Sequence, residues 1–130
     1  MRDLLADWAR EAGYTRTIDR LGSMFLRREG SEPTLAPVLI GSHLDTQAAA
    51  GPFDGILGVM AGLEVLRTLD DAGLRTRRPI EVVNWTNEEG ARFYPPMLCS
   101  LAFAGKAEVD WALARTDKDG KSLGAELARI

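Results

Sequence analysis

The only histidine of the chain, His43, stands two residues before Asp45 in Gly41-Ser42-His43-Leu44-Asp45-Thr46, directly after the apolar run Val38-Leu39-Ile40. Imidazole and carboxylate are ligands that divalent metal ions accept when they converge at about 2.0–2.3 Å on one point. The second ring nitrogen of such a histidine can donate to an oxygen acceptor, which fixes the tautomer. Two further acidic signals follow, Asp54 in Phe53-Asp54-Gly55 and the pair Glu88-Glu89 after a second apolar run. In a metal-dependent hydrolase one of two neighbouring carboxylates binds the metal. The other carries a proton from water to the leaving nitrogen. Each signal also has a plainer reading: His-x-Asp as a surface turn, Asp54 as a helix N-cap, the glutamate pair as a solvated loop. What favours chemistry is their order, at the ends of two strands that flank one helix.

The elements that must position these groups are legible as hydrophobic periodicity. Residues 3 to about 12 place Leu4, Leu5, Trp8, Ala9 and Ala12 on one helical face, with Gly13 as a stop. Tyr14 to Asp19 reads as a strand, Arg20-Leu21-Gly22 as a turn, and Ser23 to Arg28 as the hairpin partner. Ala36 to Ser42 shows little polar alternation and predicts a strand covered on both faces. Asp54 is placed to cap a helix from about Gly55 to Asp71. That helix is apolar around most of its circumference, which predicts a central rather than a surface position. Pro79 opens the strand Ile80 to Thr86. Strand, helix, strand is the βαβ pattern, and it predicts an α/β fold with a mostly parallel, helix-covered sheet. Short helices are expected near Leu98 to Phe103, Val109 to Ala114 and Leu123 to Ile130.

Bulk properties narrow the function classes. The chain has 130 residues, 16 Lys plus Arg, 19 Asp plus Glu and a formal charge of -3. That balance gives no electrostatic case for nucleic acid or an anionic membrane. The basic cluster Arg75, Arg77 and Arg78 reads as a solvated turn. The single cysteine, Cys99, forms no internal disulfide and fits a reducing compartment, so a cytoplasmic location is expected. No apolar stretch reaches the roughly 18 residues of a membrane span. Phosphate-binding glycine loops and the G-x-S-x-G nucleophile elbow are both missing.

Gly41 to Thr46, Phe53-Asp54-Gly55 with its helix, and Trp85-Thr86-Asn87-Glu88-Glu89-Gly90-Ala91-Arg92-Phe93 closely resemble the amidase branch of the M20 metallopeptidase family. That branch contains N-carbamoyl-L-amino-acid hydrolases, β-ureidopropionases and allantoate amidohydrolases. The resemblance runs from about Leu4 to Ala104. It implies a three-layer α/β/α, mostly parallel but mixed sheet of the zinc-exopeptidase-like type, here incomplete. It also implies that His43 binds one metal, Asp54 bridges two and Glu89 binds the other, with Glu88 as general base and Asp45 orienting His43. The implied cofactor is a divalent metal, two per complete subunit, zinc, manganese, cobalt or nickel. The implied substrate is a small ureido or N-carbamoyl amino acid. Gln47 and Asn87 look more like the carbamoyl-amino-acid and β-ureidopropionase members than the allantoate ones.

Family members are much longer. They carry further histidine ligands, an inserted dimerisation domain that makes them homodimers, and a C-terminal part of the catalytic domain. Residues 1–130 therefore read as the N-terminal portion of an M20-like catalytic domain. Cys99 stands where similar proteins tend to have glycine. The expectation is an amidohydrolase whose 130-residue portion binds metal weakly or not at all and is inactive alone. The alternatives are a non-catalytic truncated or pseudo-enzyme scaffold, and an M20 peptidase acting on peptide bonds.

Overall fold

The computed structural model describes all residues, Met1–Ile130. Helix α1 (Arg2–Glu11) buries Leu5 and Ala9, one turn apart, while Leu4 remains half exposed. Strands β1 (Thr15–Ile18) and β2 (Met24–Arg28) form the expected hairpin. Its turn is built by Asp19, whose carboxylate accepts the N–H groups of Leu21 and Ser23 at 2.9 and 2.8 Å. Strand β3 (Val38–His43), helix α2 (Ile56–Asp71) and strand β4 (Ile80–Trp85) then form the crossover unit. Three short helices follow, α3 (Leu98–Phe103), α4 (Val109–Leu113) and α5 (Leu123–Leu127).

The sheet has four strands in the order β1-β2-β4-β3. Only β3 and β4 run parallel; β1 pairs with β2, and β2 with β4, antiparallel. The expectation of a mostly parallel sheet is thus corrected to a mixed, mostly antiparallel one, flanked by helices. The cause is the hairpin. A short turn can join only antiparallel strands, and β2 then docks on β4 with Phe25 opposite Val83 and Leu26 opposite Val82.

One face of the sheet carries the main core. Met24, Leu26, Ile80 and Val82 pack against Leu5 and Ala9 of α1 and against Val59, Leu63 and Leu66 of α2. Each fully buried leucine here contributes on the order of 1.5–3 kcal/mol. Helix α2 approaches closely because it turns glycines toward the sheet. A Cβ on Gly58 would stand 2.6 Å from that of Ser42, and one on Gly62 would stand 3.0 Å from a Val82 methyl. On the opposite face Phe25, Trp85 and Phe103 form an aromatic trio with ring centroids 5.0–5.8 Å apart.

Two burial expectations are corrected. Strand β3 is not covered on both faces: it lies at the sheet edge, and Val38 is 47% exposed. Helix α2 is not enclosed either, since Leu57 and Val65 on its outer side are 60% and 45% exposed. A second apolar cluster gathers Leu21 of the hairpin turn, Phe93, and Leu98, Cys99, Ala102, Ala112 and Leu123 of the tail. It lies behind the loop that leaves β4. No helix is long and apolar enough to cross a membrane.

Candidate metal centre

The parallel pair β3 and β4 ends with His43 opposite Trp85, so both exits open at one edge of the sheet. His43 is 5% exposed. Its Nδ1 lies 2.8 Å from the main-chain oxygen of Asp45. A carbonyl only accepts, so Nδ1 carries a hydrogen, and Nε2 faces the other way. The seat of the ring is Gly55, at φ +70, where any Cβ would collide with the imidazole. Gly55 is also the N-cap of α2, which has no side-chain cap bond. The expected capping role of Asp54 is therefore overturned: it stands one residue ahead of the cap, and its carboxylate points to Nε2 instead.

Around Nε2 lie Glu88 Oε2 at 3.2 Å and Asp54 Oδ1 at 3.6 Å. His43, Asp54 and Glu89 each offer a ligand atom, all within 4.8 Å of one another. This is a single candidate metal cluster. Carboxylate oxygens gathered around one ring nitrogen need positive charge among them, from a proton on Nε2 or from a metal ion. Three buried side-chain polar atoms of the chain lack a hydrogen-bond partner, Arg28 Nη1, Asn84 Oδ1 and Glu89 Oε1, and only the last belongs to this cluster. The Glu89 carboxyl is raised above the usual carboxylate range, first by desolvation and then by the negative charge of Asp54. Imidazole with carboxylates suits a divalent ion, so the residues present fit the implied metal.

Asp45 meets the His43 ring through its main-chain oxygen rather than its side chain. Its carboxylate is 3.7 Å from His43 Nδ1, beyond hydrogen-bonding distance. Its two oxygens instead accept the main-chain N–H groups of Glu88 at 3.2 Å and Glu89 at 3.1 Å. The acidic loop has a second anchor. Buried Asn87, at φ 53, donates from its amide nitrogen to the Phe93 carbonyl at 2.7 Å. Its amide oxygen accepts the Phe93 N–H at 3.2 Å, and the Phe93 ring is buried in the second cluster. Structural use of Gly55 and of the Asn87 clasp is not evident from residue spacing. The usable signals are an Asp-Gly pair before a helix and an asparagine, the non-glycine type most tolerant of positive φ, at a strand exit.

Cys99 is fully buried, and desolvation pushes its thiol up to about 12, which rules against a nucleophilic role. Cavity size does not mark this chemistry. The space beside Asp45, Asn87 and Arg92 measures about 210 Å³, whereas a cavity of about 430 Å³ lies at the other end of the sheet, by Tyr14, Arg28 and Asp70.

The chain belongs to peptidase family M20/M25/M40, whose profile matches residues 39–125. Among curated relatives, an N-carbamoyl-L-amino-acid amidohydrolase of Rhizobium meliloti is 55% identical over 129 residues, covering 99% of this chain and 31% of the relative. A second, of Geobacillus stearothermophilus, is 47% identical over 122 residues, covering 94% and 30%. The crystal structure of a hydantoinase/carbamoylase family amidase from Burkholderia ambifaria superposes with a TM-score of 0.96 at 58% identity, covering 98% of this chain and 32% of that one. Within the family, then, the chain falls in the hydantoinase/carbamoylase amidase branch. It spans about a third of the length of these relatives.

Proposed function

We propose that this chain supplies part of the active site of a metal-dependent amidohydrolase that cleaves the C–N bond of N-carbamoyl amino acids. The observation that carries the reading is the convergence of His43, Asp54 and Glu89 at the strand ends. The named activity of the relatives in the same branch supports it. Because the chain spans about a third of those relatives, the activity proposed is that of a protein of their length. Residues 1–130 are then the N-terminal portion of an M20-like catalytic domain, completed to three α/β/α layers by a C-terminal part. A dimerisation domain makes the whole a homodimer, with a cytoplasmic location.

His43 Nε2, Asp54 and Glu89 would hold the ion, with Asp54 bridging to a second one in the complete subunit. When bound, the ion supplies electrophilic activation of the carbamoyl carbonyl and of water. Glu88, 3.2 Å from His43 Nε2, is the general base. Its carboxylate takes a proton from the attacking water and returns it to the amino-acid nitrogen as that C–N bond breaks. The amino acid leaves, and the carbamate half yields ammonia and carbon dioxide. Zinc, manganese, cobalt and nickel all suit this donor set. Three candidate ligands hold metal weakly, so residues 1–130 alone are expected to be inactive.

The test is hydrolysis by the full-length protein, with each metal in turn, of N-carbamoyl amino acids and of dipeptides. Turnover of the ureido substrates with release of ammonia supports the reading. Preferential cleavage of dipeptides would transfer the site to the peptidase reading. No turnover of either, together with no bound metal by elemental analysis, would leave the scaffold reading.

A further inference from the structure

His43 ends strand β3 and the glutamate pair lies on the loop after β4, and one side chain joins the two segments through main-chain groups. The two Asp45 oxygens are divided one to each N–H, Oδ1 to Glu88 and Oδ2 to Glu89. An ionised carboxylate is an acceptor only, and such charge-assisted bonds are stronger than neutral ones. Left-handed Asn87 lies immediately before these two residues. A left-handed residue at this point turns the N–H groups that follow toward one side, as in the main-chain concavities that bind anions. Here the anion is the chain's own Asp45. The Glu88 carbonyl accepts the Met97 N–H, so both main-chain polar groups of Glu88 are tied. The imidazole does not need this carboxylate, because the Asp45 carbonyl already takes the Nδ1 hydrogen.

We propose that the Asp45 side chain is a positioning residue for Glu88 and Glu89, acting through their main-chain N–H groups, while the Asp45 main chain orients His43. A single residue thereby sets the distance between imidazole Nε2 and both glutamates, although 43 residues separate Asp45 from Glu88. The consequence for catalysis rests on the metal-site reading above; the main-chain clamp does not.

The experiment is hydrogen–deuterium exchange of residues 86–93 at single-amide resolution, on the metal-free protein. The Glu88 and Glu89 amides are expected to be protected, and Asp45→Asn is expected to speed exchange of at least one of them about tenfold or more. Asparagine keeps one acceptor oxygen but sets an NH2 group against the other N–H. His43→Ala is expected to leave both amides protected. Ring ¹⁵N shifts of His43, the only histidine, should report a hydrogen on Nδ1 in both the parent and Asp45→Asn proteins. Unprotected amides in the unsubstituted protein would overturn the proposal without any variant. Unchanged protection in Asp45→Asn with an altered tautomer would overturn it in favour of a carboxylate–imidazole contact. In the full-length protein, Asp45→Asn should weaken metal affinity about 10- to 100-fold. Protected amides in a full-length protein that binds no metal would keep the clamp and remove the metal-site reading, so the two failures are distinguishable.

Discussion

The two ends of the sheet treat their carboxylates in opposite ways. At the far end, Asp70 near the C-terminus of α2 receives the Tyr14 hydroxyl and the Arg28 Nε, and Arg28 also bonds the Leu74 carbonyl. Burial alone would raise the Asp70 carboxyl, yet these two donors outweigh it and hold it below the usual range. At the near end, Asp54, Glu88 and Glu89 crowd around one imidazole with no Lys or Arg ion pair, and Glu89 is raised. The far end is neutralised from within. The near end gathers three carboxylates around one imidazole, more negative charge than that ring can offset, although the larger cavity is at the far end.

The contrast breaks most sharply at the ligands. In the full-length protein, His43→Ala or Glu89→Gln should reduce divalent-metal affinity at least about 100-fold by titration calorimetry, since affinity comes from the full ligand set. Glu89→Gln should leave the melting temperature of the metal-free protein unchanged or slightly higher, because it removes a repulsion from Asp54. An affinity unaffected by either substitution would erase the distinction between the two ends.

Asp70→Asn should do the reverse. It should lower stability by about 1–2 kcal/mol in urea unfolding while leaving metal affinity alone. The figure is modest because Asp70 is 43% exposed and solvent screens its pairing with Arg28. Tyr14→Phe, which removes one donor, should cost about 1 kcal/mol.

The smallest effect is in pH. A carboxyl raised in the fold favours stability at pH below its unfolded value, and that contribution is lost as pH rises through its folded value. A depressed carboxyl contributes above its unfolded value and loses the contribution as pH falls through its folded value. Glu89→Gln should therefore flatten the loss of metal-free stability on raising pH through the carboxylate range. Asp70→Asn should flatten the loss at the acid end. Two variants with the same pH–stability curve would contradict the opposite signs.

Much of this was readable from local pattern. The hairpin, α2, β4 and the three short tail helices follow from periodicity and turn residues, and His43, Asp54 and Glu89 stand out by residue type and order. What was not readable depends on partners distant in sequence. Periodicity shows that β2 and β4 are strands but not that they pair, and that pairing makes the sheet mostly antiparallel. The apolar surround of α2 suggested enclosure, yet Leu57 and Val65 remain open. The two bonds of Asp45 reach across to Glu88 and Glu89, where no local spacing rule applies.

The register that sets His43 opposite Trp85 gives the molecule an optical gauge. The other two indoles are elsewhere, Trp8 on α1 beneath Arg67 and Trp111 on α4 beneath Arg115. Cross-strand neighbours stand about 5 Å apart, so a paramagnetic, visible-absorbing ion such as Co²⁺ or Cu²⁺ held at His43 would quench emission from Trp85 ahead of the others. Occupancy of the centre could then be followed by intrinsic fluorescence, with Trp85→Phe as the silent control.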